Sequence, residues 1–308
     1  MKIGINATGQ TPRGSVSAYI DHAVAAEAEG FASYWVPELP SGGIDALTIL
    51  AVIGQSIESM ELGTAIVPTY PRHPMALAGQ ALTTNAAVRS KLTLGIGLSH
   101  QSMMEPLGLQ DDKPIRHLRE YLSVLGPLFS QGEVDFHGET VACKARLLAK
   151  SDSPPDILVA ALGPQALRLA GSRTTGTTLA WVGPKTIASH IVPTIAKAAA
   201  TAGRPSPRIV ATLPICVSKN PEAVRASLSE IGAMYAKLPS YRAMLEREGV
   251  SQPADLGIIG SRDEVTDRIA GLAVAGVTDF GACEIGTNPA ERESTRELLR
   301  ELAASSRA

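Results

Sequence analysis

Strand-like and helix-like segments alternate along almost the whole chain, and this rhythm constrains the fold more tightly than any other feature of the sequence. Lys2–Ala7 is a short β-branched run. Ser15–Gly30 carries apolar residues at helical spacing and ends on glycine, a common helix stop. Ser33–Glu38 reads as the second strand and Asp45–Ser56 as its helix, with Asp45 placed to cap the first free N–H groups. The strands continue as Glu61–Thr69, Leu92–Ser99, Asp156–Leu162, Thr177–Val182, Arg208–Ser218 and Asp279–Ile285. Their helices are Pro74–Val88, Pro114–Ser130, Gln165–Gly171, Pro184–Ala202, Pro221–Lys237 and Pro289–Ala303. Two stretches interrupt the alternation. Val134–Leu148 reads as a β-hairpin turning near His137-Gly138 and ended by Pro154-Pro155. A second excursion, roughly Leu238–Leu256, carries Tyr241 and Arg242 and leads into the helix Arg262–Ala275.

Eight strand–helix units in 308 residues imply an α/β fold with a parallel sheet closed into one (β/α)₈ TIM barrel over 1–308. The insertions fall after the fourth helix and after the seventh strand. An open doubly wound sheet is the alternative, but no GxGxxG follows the first strand.

Composition excludes several partner classes. A net charge of −2 gives no basic footprint for nucleic acid. The longest apolar runs, such as Leu47 to Ile53, fall far short of the about 20 residues that cross a bilayer. The opening MKIGINATG reads as a strand and not as a signal peptide. Cys143, Cys216 and Cys283 are odd in number and far apart, as expected of reduced thiols in a cytoplasmic protein. No HExxH, serine–histidine–aspartate order or carboxylate cluster marks a metal or nucleophile site.

In a barrel, function sits on the loops that follow the strands. After the fifth strand, Gly163-Pro164 opens a helix. Glycine admits a ligand to the backbone and the free N–H groups suit an anion, although a plain tight turn has the same sequence. Gly95-x-Gly97 on the fourth strand either admits a flat ring or packs tightly inside the barrel. His100, just beyond that strand, is the histidine best placed for chemistry. His73, between prolines, reads as a turn-shaping residue, and His22, His117 and His190 fall within helices as surface or packing residues. Glu38 follows the second strand as a polar anchor or an exposed carboxylate.

These residues carry a resemblance. Leu62–Pro74 (LGTAIVPTYPRHP), Leu92–His100 (LTLGIGLSH), Asp156–Gly171, Leu238–Gly249 and Ala275–Phe280 resemble the luciferase-like monooxygenase superfamily. Within it, the chain is most similar to the branch that uses the deazaflavin coenzyme F420. The resemblance spans nearly the whole chain. It implies that Val67, Pro68 and Thr69 support one face of the deazaflavin, with a cis peptide bond near Ile66-Val67 or Val67-Pro68. It implies that Gly97, Leu98 and Ser99 line the ring and ribityl chain. It gives Ala161, Leu162, Gly163, Pro164 and Gln165 to the phosphate, and Glu38 to an acid near the ring. Sugar-phosphate dehydrogenase relatives carry a histidine after that acid, where this chain has Leu39. His100 and Glu38 are then the candidate catalytic residues, and Leu39, His100 and Trp181 the candidate substrate pocket.

The function so implied is an F420-dependent oxidoreductase moving a hydride between the deazaflavin C5 and a small organic substrate, an activated alkene, imine or carbonyl. An FMN-dependent luciferase-like monooxygenase and a non-catalytic flavin- or deazaflavin-binding protein are the alternatives. The apolar mouth (Leu39, Leu98, Leu162, Trp181) suits a hydrophobic or cyclic molecule. Relatives are commonly homodimers, and the apolar helices Asp45–Ser56 and Pro74–Val88 are the faces expected to meet a partner.

Overall fold

Strands covered on both faces have no solvent side, so they read as continuous apolar runs and are buried from end to end. In the computed structural model, which describes residues 1–9, 14–39, 43–109, 112–148 and 151–306, the strands of the parallel sheet are mostly buried, with Lys2 exposed at the rim. In chain order they are β1 (Lys2–Asn6), β2 (Ser33–Val36), β3 (Glu61–Thr64), β4 (Val67–Pro68) and β5 (Leu92–Gly97). An antiparallel hairpin of β6 (Glu133–His137) and β7 (Ala142–Arg146) follows. The remainder are β8 (Asp156–Ala160), β9 (Gly176–Ala180), β10 (Arg208–Val217), β11 (Ile258–Gly260) and β12 (Asp279–Glu284).

The ring runs β1, β2, β3, β5, β8, β9, β10, β12 and returns to β1, parallel throughout. It is a closed eight-stranded TIM barrel with helices outside. Its interior is filled rather than hollow. Trp35 of β2 packs inside against Leu158 and Val210 and donates its indole N–H to Ser33 Oγ at 2.8 Å. Facing it is Gly63, where a Cβ would sit 2.2 Å from the indole ring. The N-terminal end of the barrel is locked by charge. Arg208 bridges Glu61 and Asp279 at 2.7 Å each, and both carboxylates are buried. Burial works against the Arg208 charge, but the hydrogen bonds it donates to the two carboxylates, and their charge, outweigh it and hold the guanidinium more basic than usual.

Several details depart from the sequence reading. The third strand is not continuous: a cis peptide at Ala65-Ile66, upstream of both bonds expected to be cis, separates β3 from β4. The excursion after β10 is ordered, as a helix Pro239–Glu248, a 3₁₀ turn Pro253–Leu256 and the short β11, which extends the sheet beside β10. The helix expected over Pro184–Ala202 contains a π segment, Ile187–Ile191. Pro193 follows it and has no N–H to continue the regular ladder. The helices expected to face a partner turn their apolar residues inward. Across Ala46–Ile53 and Pro74–Ala87, Val52 is the one large apolar side chain left exposed. No helix among the described residues is long and apolar enough to cross a membrane.

Candidate active site

The parallel ring brings the C-terminal ends of all its strands to one mouth. At β3–β4 the chain bulges, and its backbone is held to β5. Val67 and Pro68 pair with Ile96 and Gly97, and Thr69 N–H donates to the Gly97 carbonyl at 2.9 Å. Thr64 Oγ1 donates to the Gly95 carbonyl at 2.7 Å. A Cβ at Gly95 would lie 2.1 Å from the Thr64 carbonyl oxygen, so close packing of β3 on β5 accounts for that glycine. The bulge delivers Val67, Pro68 and Thr69, all buried, to the mouth beside Gly97, Leu98 and Ser99.

A polar scaffold lies behind this bulge. His117, on the helix Pro114–Ser130, brings Nε2 to 3.1 Å from Thr69 Oγ1 and stacks on Tyr70 with centroids 4.0 Å apart. Burial pushes the His117 pKa down to about 4, against the opposing charge of Glu120, so the ring is neutral near pH 7. Tyr121 donates its hydroxyl to the Arg72 carbonyl at 3.0 Å. The Arg72 guanidinium bridges Glu38 and Asp45. Glu38 also accepts the Ala46 N–H at 3.1 Å, so both its oxygens are engaged by the fold. Burial raises the Asp45 pKa, but the Thr48 hydrogen bonds and the Arg72 charge more than offset it. Asp45 caps its helix through Thr48 N–H at 2.7 Å, as its position in the sequence suggests. His73 likewise shapes its turn: Nδ1 accepts Met75 N–H, and Nε2 lies 3.0 Å from the Ala142 carbonyl on the hairpin.

The opposite side of the mouth is aromatic. His100 starts the short helix Gln101–Met104, and its ring meets Tyr241 edge-on at 5.5 Å and Tyr235 at 6.0 Å. Trp181, beyond β9, lies 5.4 Å from Tyr235, which lies 5.0 Å from Tyr241. Ser99 (φ 63°) and Trp181 (φ 57°) are the non-glycine residues in the left-handed region among those described. One immediately precedes His100 and the other belongs to the cluster, and such strain concentrates at functional sites. Burial lowers the His100 pKa below its ordinary value. Cys283, at the end of β12, is also buried, and its thiol is pushed up to about 12. Tyr235 and Tyr241 come from the chain between β10 and β11, and sequence reasoning did not bring them to the site. Their tyrosine-bearing helices after the seventh strand were the available signal.

The third component is the turn after β8. Gly163 precedes the helix Pro164–Arg173 in extended conformation (φ −78°, ψ 153°) without any side-chain cap, and Pro164 occupies the first turn. Among the described residues no acceptor meets the N–H groups of Gln165 and Ala166. Nothing lies within 4 Å of where a Gly163 Cβ would stand, so neither space nor backbone angle demands glycine here. The open donors and the missing side chain form a cradle that fits a phosphate. His190, expected as a surface or packing residue, supports this turn through Nε2, 2.9 Å from the Leu162 carbonyl. Leu39, beyond β2, is exposed. No group of three His, Cys, Asp or Glu residues that could hold a metal occurs among the described residues.

Comparison with known proteins agrees with this architecture. The chain is 24% identical over 282 residues to a 5,10-methylenetetrahydromethanopterin reductase of Methanolobus tindarius, covering 90% of this chain and 85% of the relative. It is 27% identical over 250 residues to an F420-dependent glucose-6-phosphate dehydrogenase of Nakamurella multipartita, covering 77% and 72% respectively. The solved coenzyme F420-dependent tetrahydromethanopterin reductase of Methanopyrus kandleri superposes with a TM-score of 0.81 at 20% identity, over 99% of each chain. A family model described as luciferase-like monooxygenase matches residues 1–279, and the chain belongs to that family.

Proposed function

We propose that this protein is a coenzyme F420-dependent oxidoreductase acting on a small, apolar or cyclic organic substrate. The observation that carries the reading is the pairing of the Gly163-Pro164 cradle with relatives named for F420. Bound there, the deazaflavin would donate or accept a hydride at C5. The chain's own residues do the rest. Gly163, Gln165 and Ala166 hold the phosphate through backbone N–H groups, beside Ala161 and Leu162. Val67, Pro68 and Thr69 back one face of the ring, with His117 fixing the Thr69 hydroxyl, while Gly97, Leu98 and Ser99 flank it. Glu38 anchors the loop through Arg72 and the Ala46 N–H, on the coenzyme side of the mouth.

His100 is the proton carrier of the proposal. It stands at the mouth, held by two tyrosine rings, and neutral imidazole predominates near pH 7 because burial lowers its pKa. Its protonated form gives a proton from a ring nitrogen when substrate is reduced, and its neutral form takes one when substrate is oxidised. Trp181, Tyr235 and Tyr241 form an aromatic wall for a flat activated alkene, imine or carbonyl compound. Leu39 brings no titrating group, which disfavours sugar-alcohol oxidation of the kind named for the Nakamurella relative.

The family description favours a second reading, an FMN-dependent monooxygenase. Turnover separates the two. Reduced F420 should be consumed with an activated alkene or carbonyl compound without oxygen uptake. Oxygen-dependent turnover with reduced FMN, and none with F420, would replace this proposal with the second reading. The family resemblance also carries a homodimer, which light scattering at micromolar concentration tests.

A further inference from the structure

Tyr241 carries a hydroxyl that the fold does not use. Its ring is 9% exposed and meets Tyr235 edge-on at 5.0 Å and His100 at 5.5 Å. Among the described residues no hydrogen bond reaches the hydroxyl, and burial beside Tyr235 keeps the phenol protonated well above neutrality. Two other buried tyrosines engage theirs: Tyr34 Oη lies 3.0 Å from His22 Nδ1, and Tyr121 donates to the Arg72 carbonyl at 3.0 Å. Tyr235 sets its hydroxyl against the Trp181 side chain. The Tyr241 oxygen is not sealed in either. The side-chain atoms both sealed and unpartnered among the described residues are Ser90 Oγ and Arg204 Nε, so Tyr241 Oη borders open space. A ring needs no hydroxyl to pack, and a nearly buried hydroxyl without a partner costs stability, so phenylalanine would serve the fold better here.

The helix that bears Tyr241, Pro239–Glu248, is fastened to the chain just after Trp181. Glu248 accepts the N–H groups of Lys185 at 3.1 Å and Thr186 at 2.7 Å, and Thr186 Oγ1 donates to the Met244 carbonyl at 3.3 Å. A Cβ at Gly183 would lie 2.3 Å from the Glu248 carboxyl carbon, so glycine there lets the two segments meet. Tyr241 is thereby held at the mouth. Its neighbour His100 is a second polar ring that no hydrogen bond engages among the described residues, and burial alone lowers its pKa. The pair are donors of different kinds: one stays protonated and the other titrates. A carbonyl oxygen, with two lone pairs, accepts both. An imine nitrogen has a single lone pair, which the proton from His100 would take, and an isolated alkene has none.

We propose that Tyr241 is a substrate-binding residue whose hydroxyl donates to the carbonyl oxygen of the organic substrate beside His100, and that it selects carbonyl compounds over imines and isolated alkenes. The proposal rests on the coenzyme reading above. Tyr241 holds the oxygen and gives up no proton, while proton transfer stays with His100. Its hydrogen bond strengthens as hydride reaches carbon and negative charge grows on the oxygen. Tyr235 and Trp181 then lie along the apolar frame of the substrate.

The test uses the protein loaded with oxidised F420, which has no hydride to give, and cyclohexanone labelled with carbon-13 at the carbonyl. Infrared difference spectra should place the bound carbonyl stretch below its position in hexane, the mark of a hydrogen-bonded oxygen. Tyr241→Phe should move the stretch back up and weaken cyclohexanone binding roughly tenfold, the size of one neutral hydrogen bond. Methylenecyclohexane, the same ring without the oxygen, should bind both proteins alike. The variant should also melt no lower than the parent and bind F420 as tightly. An unmoved stretch with unchanged ketone affinity overturns the role of Tyr241 while the coenzyme reading stands. A lowered melting temperature does the same, because the hydroxyl would then serve the fold. Failure of the parent to bind cyclohexanone overturns the carbonyl class, and failure to bind F420 overturns the coenzyme reading and this proposal with it.

Discussion

Gly163 is a glycine the fold does not need. Its backbone angles suit any residue and its Cβ position is open. A Gly163→Val variant should therefore fold with an unchanged melting temperature. The added branch would still stand over the donors of the first turn and weaken F420 binding at least about tenfold, or 1.4 kcal/mol. Calorimetric titration checks the affinity, and full binding by a folded variant would remove the phosphate from this turn. His100 makes a prediction whose sign follows from its environment. Its pKa is lowered by burial, so its acid form is depleted as pH rises through a value below 6.5. Turnover in the direction of substrate reduction should fall across that range, and turnover in the oxidising direction should rise. His100→Gln should abolish both inflections and slow turnover by roughly 10²-fold while F420 affinity holds. A raised KM with unchanged kcat would instead make His100 a pocket wall with no proton to move.

At the scale of elements, the helix Pro114–Ser130 matters because it carries His117 into the coenzyme side of the site. A buried histidine with a depressed pKa binds fewer protons folded than unfolded. The native state is therefore unpenalised above about pH 6.5 and loses stability as pH falls from there toward the folded value of about 4. The loss approaches about 3 kcal/mol at 1.36 kcal/mol per pKa unit. Urea unfolding at pH 7 and pH 4 should show that His117→Gln, weaker at neutrality, loses less on acidification than the parent. Parallel losses in the two proteins would exclude His117 as the source. Elements also separate what the sequence discloses from what it hides. Most buried parallel strands are dominated by apolar residues, and Asp45, His73 and the hairpin carry their signals within a few residues, so these were legible. The three-residue β11 is too short for periodicity to register. The peptide isomer at Ala65-Ile66 has no residue-type signature, unlike an X-Pro bond such as Val67-Pro68, where cis costs far less. Tyr235 and Tyr241 reach His100 across well over a hundred residues of chain, a contact that only the closed ring creates.

For the whole molecule, the barrel separates stability from chemistry by its two ends. The Arg208 bridge to Glu61 and Asp279 ties three strand starts together, far from the mouth. Arg208→Ala strands two buried carboxylates and should cost about 3–5 kcal/mol in urea unfolding. Coenzyme affinity of the folded fraction should not change, and a large affinity loss at unaltered stability would contradict that division. The mouth is divided again, into a coenzyme side built on the β3–β4 bulge and the β8 turn, and a substrate side walled by aromatic rings. This division places the central claim on the coenzyme. Parallel titrations of the protein with F420 and FMN test it most directly. The account predicts at least about tenfold tighter binding of F420, a difference of 1.4 kcal/mol. Equal or tighter binding of FMN would contradict it.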